Sequence, residues 1–600
     1  MRLVALKVKG RYVLAVGEVK EGFFVGEDVG GRPLRMKVKG LIDFGPVRSK
    51  ASISPHDGLD LRELWDLGEE LDLDTAAELL LGSNSPGDKA SIFLSALRSP
   101  FFKVEGERLI PRSEDDVRSI LARERAEREE EEMRAELART LKGEETPIVP
   151  ILRAIYRGER EDRRLLRLIS SHEDFWRAFL NAGHVRPEDV PAHINALKTM
   201  NTGGYEGLEL EYEDLRDLPT FSIDDEETRD IDDAISVVPT ASGYELFIHI
   251  ALPYALVRRG SEADLLARGR GSTLYLPEGI WPMYPQEAVE ALSLKEGEER
   301  PTLTLRLVVT PYGEVRDYDF MLATIRNKRR LAYRNAERIL REEGLWEGLM
   351  HLKENLRAGR LKAGGMAYDH PFLKVKFHDG SITVSLLTPN DATALVGEMM
   401  ILYNSVAGAH LARRGLVGIF RIQEEPPPTP HPLPGDPLYL LKLKAAGRPV
   451  RTSIKPGPHR GLGVPYYVRA TSPIRRYSDV INQHQILASL RVLPPLPPDV
   501  VERDMGEALA GELKRHKAQR ERTTFLLLHH LRLSGEVEGV ASGKRKVFLP
   551  GYLMEVRAKG SLRYGGRYRF RVVKVLFGDG TAVLEPIESL DADHPSLPLV

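Results

Sequence analysis

Hydrophobic and polar positions change period along this chain, and the changes divide it into parts. Over residues 1–55 they alternate. Val4-Ala5-Leu6-Lys7-Val8, Tyr12-Val13-Leu14-Ala15-Val16 and Gly22-Phe23-Phe24-Val25 are strand-like runs separated by glycine turns, Gly30-Gly31 among them. A small β-barrel is expected there. From Asp60 the spacing becomes helical: Leu61, Leu64, Trp65 and Leu67 mark one helix, and Asp74 to Leu81 a second. After a break at Asn84-Ser85-Pro86-Gly87, a third carries Ile92, Phe93, Leu94 and Leu97, and Phe101 to Ile110 reads as a hairpin. Three helices and a hairpin over 56–112 predict a winged helix-turn-helix. Its third helix offers only Lys89 and Arg98 to a nucleic acid. Residues 113–204 read as a helical linker region. It opens with a charge-dense helix over 114–141, where Arg123, Arg125, Arg128 and Arg134 interleave with glutamates, the pattern of a solvated helix with i,i+4 ion pairs.

The long middle, 205–530, mixes strands with amphipathic helices. Tyr244 to Ile250 and Thr302 to Val309 read as central strands, Leu395 to Arg413 as a buried helix, and the proline-rich Glu424 to Pro437 as a stiff surface loop. Residues 534–592 return to short strands and glycine turns, which predicts a five-stranded OB-type barrel. The fold class expected is multidomain α+β, with a mixed α/β domain in the middle.

Composition narrows the classes. Hydrophobic residues at 42% and charged residues at 29% belong to a globular protein, and no run approaches the ~18 apolar residues of a membrane span. No membrane association is expected. Absence of cysteine excludes disulfides, cysteine-ligated zinc, iron–sulfur clusters and a thiol nucleophile. No signal-peptide pattern opens the chain, so a cytoplasmic location is expected. Eighty-six Lys and Arg against 88 Asp and Glu leave a net charge of −2, so any basic surface must be local.

The most informative segment is Phe221 to Val237. Seven acids occupy ten positions, at 224–227, 230, 232 and 233, between an apolar lead-in and a strand-like run. In an extended segment Asp230 and Asp232 point the same way, and Asp224 and Asp233 can join them across a loop. Carboxylates so close repel unless a cation neutralises them, and hard divalent ions take such oxygens. An EF-hand fails on spacing, because the sixth position from Asp224 is Arg229 and the twelfth is Ile235. On the residues alone, a solvated acidic loop and a Mg²⁺ site both remain open.

A second segment runs Tyr466 to Asp479. Ser472-Pro473 reads as a helix start, with Ser at N-cap and Pro at N1, which would put Arg475 and Arg476 in the first turn. Cations there are unfavourable unless an anion such as phosphate sits with them. A structural Arg475–Asp479 pair is the competing reading.

Together these segments resemble the ribonuclease II/ribonuclease R family of RNB-domain 3′→5′ exoribonucleases. The resemblance extends to Arg216-Asp217-Leu218, His249-Ile250-Ala251, Tyr275-Leu276-Pro277, Gly364-Gly365-Met366-Ala367-Tyr368, Phe420-Arg421-Ile422-Gln423-Glu424 and Gly461-Leu462-Gly463, in consistent order over about 205–530. It implies a processive, Mg²⁺-dependent exoribonuclease, with Mn²⁺ a substitute ion, that converts RNA to nucleoside 5′-monophosphates. Asp224, Asp230, Asp232 and Asp233 match the family's catalytic aspartates and metal ligands, with Asp230 and Asp232 at the reaction centre. Arg475 matches its catalytic arginine, with Arg476 in the adjacent basic position. Tyr275 and Tyr368 match positions that stack on terminal bases. Leu252, Gln423 and Gln483 depart from the family's usual Asp, His and His. A monomer acting on single-stranded RNA is expected, with the winged helix available to RNA or a protein partner.

The C-terminal barrel looks like the RNA-binding barrel of that family. Residues 544–574 hold ten cations, led by Lys544, Arg545 and Lys546, against the single acid Glu555. Phe548, Tyr552, Tyr564, Tyr568 and Phe570 are interleaved, a pattern that suits a phosphate backbone and stacked bases.

Overall fold

The computed structural model describes residues 1–48, 58–170, 174–312, 314–366, 370–424, 436, 438–446 and 448–591. They form two compact units, Met1–Ala138 and Arg139–Val600.

In the first unit β1 (Arg2–Val8), β2 (Arg11–Lys20), β3 (Phe23–Asp28), β4 (Pro33–Lys37) and β5 (Ile42–Pro46) pair in the order β4-β3-β2-β1-β5. This is an open sheet, not the closed barrel that the alternation predicts. The reason lies in β1, which is apolar on both faces. Val4 and Leu6 pack with Ala15 and Phe24 on one side. Leu3 and Ala5 join Phe44, Ile92 and Phe93 on the other. A Cβ on Gly17 would meet its cross-strand partner Gly26 at 2.7 Å, so only paired glycines allow the close approach of β2 and β3 there.

Next come α1 (Arg62–Trp65), β6 (Leu71–Asp72), α2 (Leu73–Leu81), α3 (Pro86–Arg98), β7 (Phe102–Glu105) and β8 (Arg108–Pro111), with a sheet in the order β6-β8-β7. That is the element order of a winged helix. The Ser85-Pro86 break begins α3 rather than interrupting a pattern: the Ser85 side chain accepts from Asp88 N, and Pro86 stands at N1. Because α3 shares a core with β1 and β5, the sheet and the helices that follow it pack together. The charged helix α4 (Glu114–Leu141) follows, with the i,i+4 pairs Arg118–Glu114, Arg123–Glu127, Arg125–Glu129 and Arg134–Glu130.

The second unit opens with α5 (Val149–Arg157), α6 (Arg163–Ser170), α7 (Phe175–Asn181) and α8 (Ala192–Asn195). Its central sheet contains β9 (Glu213–Asp214), β10 (Thr220–Asp224), β11 (Asp233–Thr240) and β12 (Gly243–Ala251). After α9 (Glu262–Arg270), the small hairpin β13 (Leu274–Leu276) and β14 (Gly279–Trp281), and α10 (Gln286–Leu292), it continues with β15 (Glu299–Val309), β16 (Val315–Arg326) and β17 (Arg329–Ala332). The strand order is β17-β10-β11-β12-β15-β16-β9. Then come α11 (Ala336–Glu342), α12 (Trp346–Lys362), the hairpin β18 (Phe372–His378) and β19 (Ser381–Leu387), and the buried α13 (Asp391–Arg413). Short β20 (Phe420–Ile422) pairs with β21 (Arg451–Ser453) across α14 (Tyr439–Ala446), and α15 (Tyr477–Ser489) and α16 (Pro498–Ser534) complete the helices. Side chains from the sheet and from α9, α10, α12, α13 and α15 share one core. Most of the proline-rich stretch 424–437 lies outside the described residues. No helix among the described residues is long and apolar enough to cross a membrane.

A polar line threads this core. Thr220 Oγ1 meets Ser236 Oγ at 2.8 Å, Ser236 Oγ meets His249 Nε2 at 2.9 Å, and His249 Nδ1 meets Thr304 Oγ1 at 2.9 Å. Each group is buried and partnered, so His249 of the His-Ile-Ala motif serves the sheet. Two glycine motifs also meet. A Cβ on Gly463, at φ +69°, would stand 2.2 Å from Arg360 O, and one on Gly365 2.9 Å from Gly463 N. Only bare backbone fits there.

The chain ends in a closed five-stranded barrel of β22 (Glu536–Gly543), β23 (Lys546–Leu549), β24 (Met554–Ala558), β25 (Arg567–Leu576) and β26 (Thr581–Ser589).

Candidate active site

Strands β10 and β11 pair only at Thr220–Ser236 and Phe221–Ile235. Beyond that they part. β10 runs parallel to β17 up to Asp224–Ala332, and β11 pairs with β12 from Asp233–Ile250 onward. Asp224 and Asp233 thus stand at two strand ends, with the rest of the acidic run in the loop between them.

The fold sorts the seven acids into two sets. Asp225, Glu226 and Glu227 are neutralised by cations from elsewhere. Lys374 Nζ lies 3.1 Å from Asp225 Oδ1 and 2.9 Å from Glu227 Oε2, Lys376 pairs with Glu227, and Arg334 with Glu226. Asp224, Asp230, Asp232 and Asp233 form the other set, and Arg475 acts electrostatically on all four. Asp224 Oδ1 accepts from Thr228 Oγ1 and Asp225 N, both at 2.8 Å. Asp230 Oδ2 accepts from the Tyr275 hydroxyl at 2.7 Å. Asp232 is only 4% exposed. Its Oδ1 accepts from Ile474 N at 2.9 Å, whereas its Oδ2 has no hydrogen-bond donor and lies 3.3 Å from Arg475 Nε.

These carboxylates are short of positive charge. Burial pushes Asp232 well above the usual carboxylate range, with Asp230 and Asp233 adding repulsion and Arg475 opposing it. Burial, together with Asp224, pushes Asp233 up to about 7 against the pull of Arg475 and Arg476. Asp224 is also raised, chiefly by burial. Among the described residues no three acidic or histidine side chains converge as a ready-made metal shell. In donor chemistry the set nevertheless fits a hard divalent cation: it is all oxygen, mutually repelling, and includes a buried carboxylate oxygen with no donor.

The arginine segment differs from its expected form. Helix α15 begins at Tyr477, with Arg476 at its N-cap, and residues 472–475 make a turn before it. The cause is pairing with a distant segment: Thr273 N donates to Arg475 O, Tyr477 N to Gly271 O, and Arg476 bridges Ser272. Arg475 and Arg476 therefore precede the helix rather than lying in its first turn. Asp479 takes both Arg476 nitrogens, Nε at 3.0 Å and Nη2 at 2.7 Å, which leaves Arg475 to Asp232. Arg476 is a structural clamp here.

Tyr275 stands on β13, half-buried, with its hydroxyl in the cluster. Tyr368 lies outside the described residues. The three departures from the family pattern are internal: Leu252 is fully buried, Gln423 bridges Arg448 O and Gly461 N, and Gln483 donates to Ala251 O.

On the barrel, Lys544, Arg545 and Lys546 are exposed. The local excess of cations is partly cancelled by acids from outside the window: Arg569 pairs with Glu588, Lys559 with Glu585 and Arg563 with Asp591, while Lys546 pairs with Glu555. Lys544, Arg545, Arg557, Arg567, Arg571 and Lys574 form no ion pair among the described residues. Phe548, Tyr552 and Phe570 are core, and Tyr564 is exposed under Lys442.

A protein-family model, the RNB domain, matches residues 212–430 and 438–492. That match is confined to the middle of the chain, the part that carries the acidic run and the arginine segment. An uncharacterized ribonuclease of Synechocystis is 31% identical over 331 residues, 53% of this chain and 50% of its own length. Exoribonuclease 2 of Psychromonas ingrahamii is 28% identical over 390 residues, 57% of this chain and 59% of its own. The chain thus spans half to three fifths of the length of these curated relatives. Among solved structures, an active-site mutant of the Dss1 exoribonuclease from Candida glabrata superposes with TM-score 0.61 at 15% identity, covering 98% of this chain and 96% of that one. RNase R of Mycoplasma genitalium superposes with TM-score 0.56 at 18% identity over 66% of this chain and 78% of its own. Yeast Ssd1, described as a pseudonuclease, gives 0.52 at 15% over 66% of this chain and 58% of its own. At such identities the likeness shows a shared fold. The residues matched by the RNB model include all four aspartates, Tyr275 and Arg475.

Proposed function

We propose that this protein is a Mg²⁺-dependent exoribonuclease that shortens single-stranded RNA processively from its 3′ end, releasing nucleoside 5′-monophosphates. The observation that carries the reading is the sorting of the acidic run: three acids are neutralised by paired cations, and four are left without such a pair except for the Arg475 contact to Asp232. Asp224, Asp230, Asp232 and Asp233 would hold the ion, which supplies an activated water and charge compensation for the departing 3′ oxygen. Arg475, its side chain 43% exposed, can reach a phosphate beside the cluster and neutralise charge that builds on it. The Tyr275 hydroxyl holds Asp230, and its ring is the surface offered to a terminal base. Exposed unpaired cations of the C-terminal barrel, read as an OB-type fold, would track the phosphate backbone upstream. The winged helix offers little to nucleic acid. Lys89 is spent on Asp74 at 2.9 Å, which favours a protein partner for that element.

A second reading is a catalytically silent RNA-binding protein, because one neighbour of this fold is described as a pseudonuclease. End-labelled single-stranded RNA incubated with Mg²⁺ or with EDTA separates the two. Progressive 3′ shortening that EDTA abolishes and Mg²⁺ or Mn²⁺ restores is expected. Binding without shortening would establish the silent reading, and full activity in chelator would defeat the metal assignment.

A further inference from the structure

Loop 225–228 is gripped from two sides. From β17, Arg330 donates to the carbonyls of Asp225, Glu226 and Thr228 at 3.3, 3.0 and 2.6 Å, and Arg334, just beyond, pairs with Glu226. From β18, Lys374 Nζ bridges Asp225 and Glu227 at 3.1 and 2.9 Å, and Lys376 pairs with Glu227. Lys374 and Lys376 are two apart on a strand, so both ammonium groups leave the same face. That face meets the loop.

The hairpin β18–β19 is a two-stranded element with little core of its own, and such a hairpin is marginal alone. Its other ties run to the turn after β13, to α16 and to the turn after β23. Phe377 N donates to Pro277 O at 2.9 Å, two residues beyond Tyr275. The Phe377 ring lies under the Arg522 guanidinium of α16, 5.6 Å away. Within the loop, Asp225 N and Thr228 Oγ1 both donate to Asp224 Oδ1, so the loop's conformation sets how that carboxylate faces.

We propose that Lys374, seconded by Lys376, is a positioning residue for the metal-holding carboxylates. The hairpin braces loop 225–228, fixes Asp224 through it, and occupies Asp225 and Glu227 so that they do not compete for the ion. This rests on the metal reading above. The competing view, a pair of ordinary surface salt bridges worth at most about 1 kcal/mol, gives the ion no reason to respond. Charge alone predicts the opposite sign, because removing a cation leaves more negative potential to attract Mg²⁺.

Mn²⁺ alone, titrated by electron paramagnetic resonance into the full-length protein without RNA, reads the effect directly. Lys374→Met is expected to weaken binding about 10-fold, the scale of a lost outer contact at a metal site. The Mg²⁺ concentration for half-maximal hydrolysis should rise by the same factor, with kcat at saturating metal near its original value. Lys374→Arg should restore both. Melting curves in EDTA verify folding, and if Lys374→Met does not fold, Lys376→Met carries the test with a smaller weakening. Unchanged or tighter Mn²⁺ binding in a folded variant overturns the brace alone. Absence of Mn²⁺ binding in the unmodified protein overturns the metal reading, and the brace with it.

Discussion

Asp232 differs from the other acids of its run in how its two oxygens are used. One takes the Ile474 amide, the other takes no donor, and the carboxylate is buried. An isolated buried charge is costly, so the site is built to have it neutralised by something beyond Arg475. Asp232→Asn removes that charge at constant shape. A fall of at least ~10²-fold in hydrolysis rate is expected, the scale of a lost electrostatic contact, with RNA affinity by fluorescence anisotropy largely kept. Near-normal turnover would mean that Asp232 is not at the reaction centre. Tyr275 allows a finer dissection. Tyr275→Phe removes only the hydroxyl from Asp230, and should lower the rate while leaving the final product length unchanged. Tyr275→Ala also removes the ring; if that ring stacks on a terminal base, a contact worth about 1–3 kcal/mol, its loss should shift the length of the residual oligonucleotide on a sequencing gel. The same product ladder from both variants would make the ring a packing group. From sequence the run was legible as an acid cluster, and period two associates Asp230 with Asp232. Which acids are spent elsewhere was not legible, because Lys374 and Lys376 lie 149 residues from Asp225 and Glu227 respectively.

Elements with a sustained period were read closely from sequence, and those fixed by a remote partner were not. Helix α4 occupies 114–141 as its charge pattern predicts, and β12, β15 and α13 contain the runs that announced them. Ser472-Pro473 misled because its local helix-start chemistry is outweighed by pairing to 271–273, which holds Arg476 extended at φ −141°. The N-terminal alternation misled for a related reason: it shows strands, but not that both faces of β1 are buried. The polar line across the central sheet was also invisible, since it joins Thr220, Ser236, His249 and Thr304 from four strands. It has a titration consequence. Burial lowers His249 to about 3, against the ordinary histidine value of 6.5. Between those values the unfolded chain binds a proton that the folded chain refuses, so this group's contribution to stability falls as pH is lowered below 6.5. The loss is about 1.4 kcal/mol per pH unit well below that value. His249→Gln should melt lower than the unmodified protein at about pH 7.5, in EDTA, and the gap should narrow at about pH 5.5. A gap of constant width across that range would show that His249 does not change protonation on unfolding.

At the scale of the molecule, charge is balanced by folding as much as by composition. Three of the ten cations counted over 544–574, Lys559, Arg563 and Arg569, meet Glu585, Asp591 and Glu588 from later in the chain, so the sequence window overstates the free positive surface. What remains on β22–β26 and their turns is the unpaired set that includes Lys544 and Arg545, both exposed on the turn before β23. Removing the whole barrel would be a poor test of their role. Phe577 packs on Phe525 and His529 of α16, with ring centroids 5.4 and 4.3 Å apart, so a deletion would uncover the long helix. Neutralising Lys544 and Arg545 to Gln leaves that packing alone. Each phosphate contact on a single strand contributes about 0.7 to the slope of log affinity against log salt. If both residues track the backbone, the double variant should bind long single-stranded RNA more weakly and lose about 1.4 from that slope. Trimming of very short oligonucleotides, which on the proposed function would engage only the aspartate cluster and Tyr275, should change little. Affinities measured at several salt concentrations decide the matter, and an unaltered slope would move the main phosphate contacts off this turn.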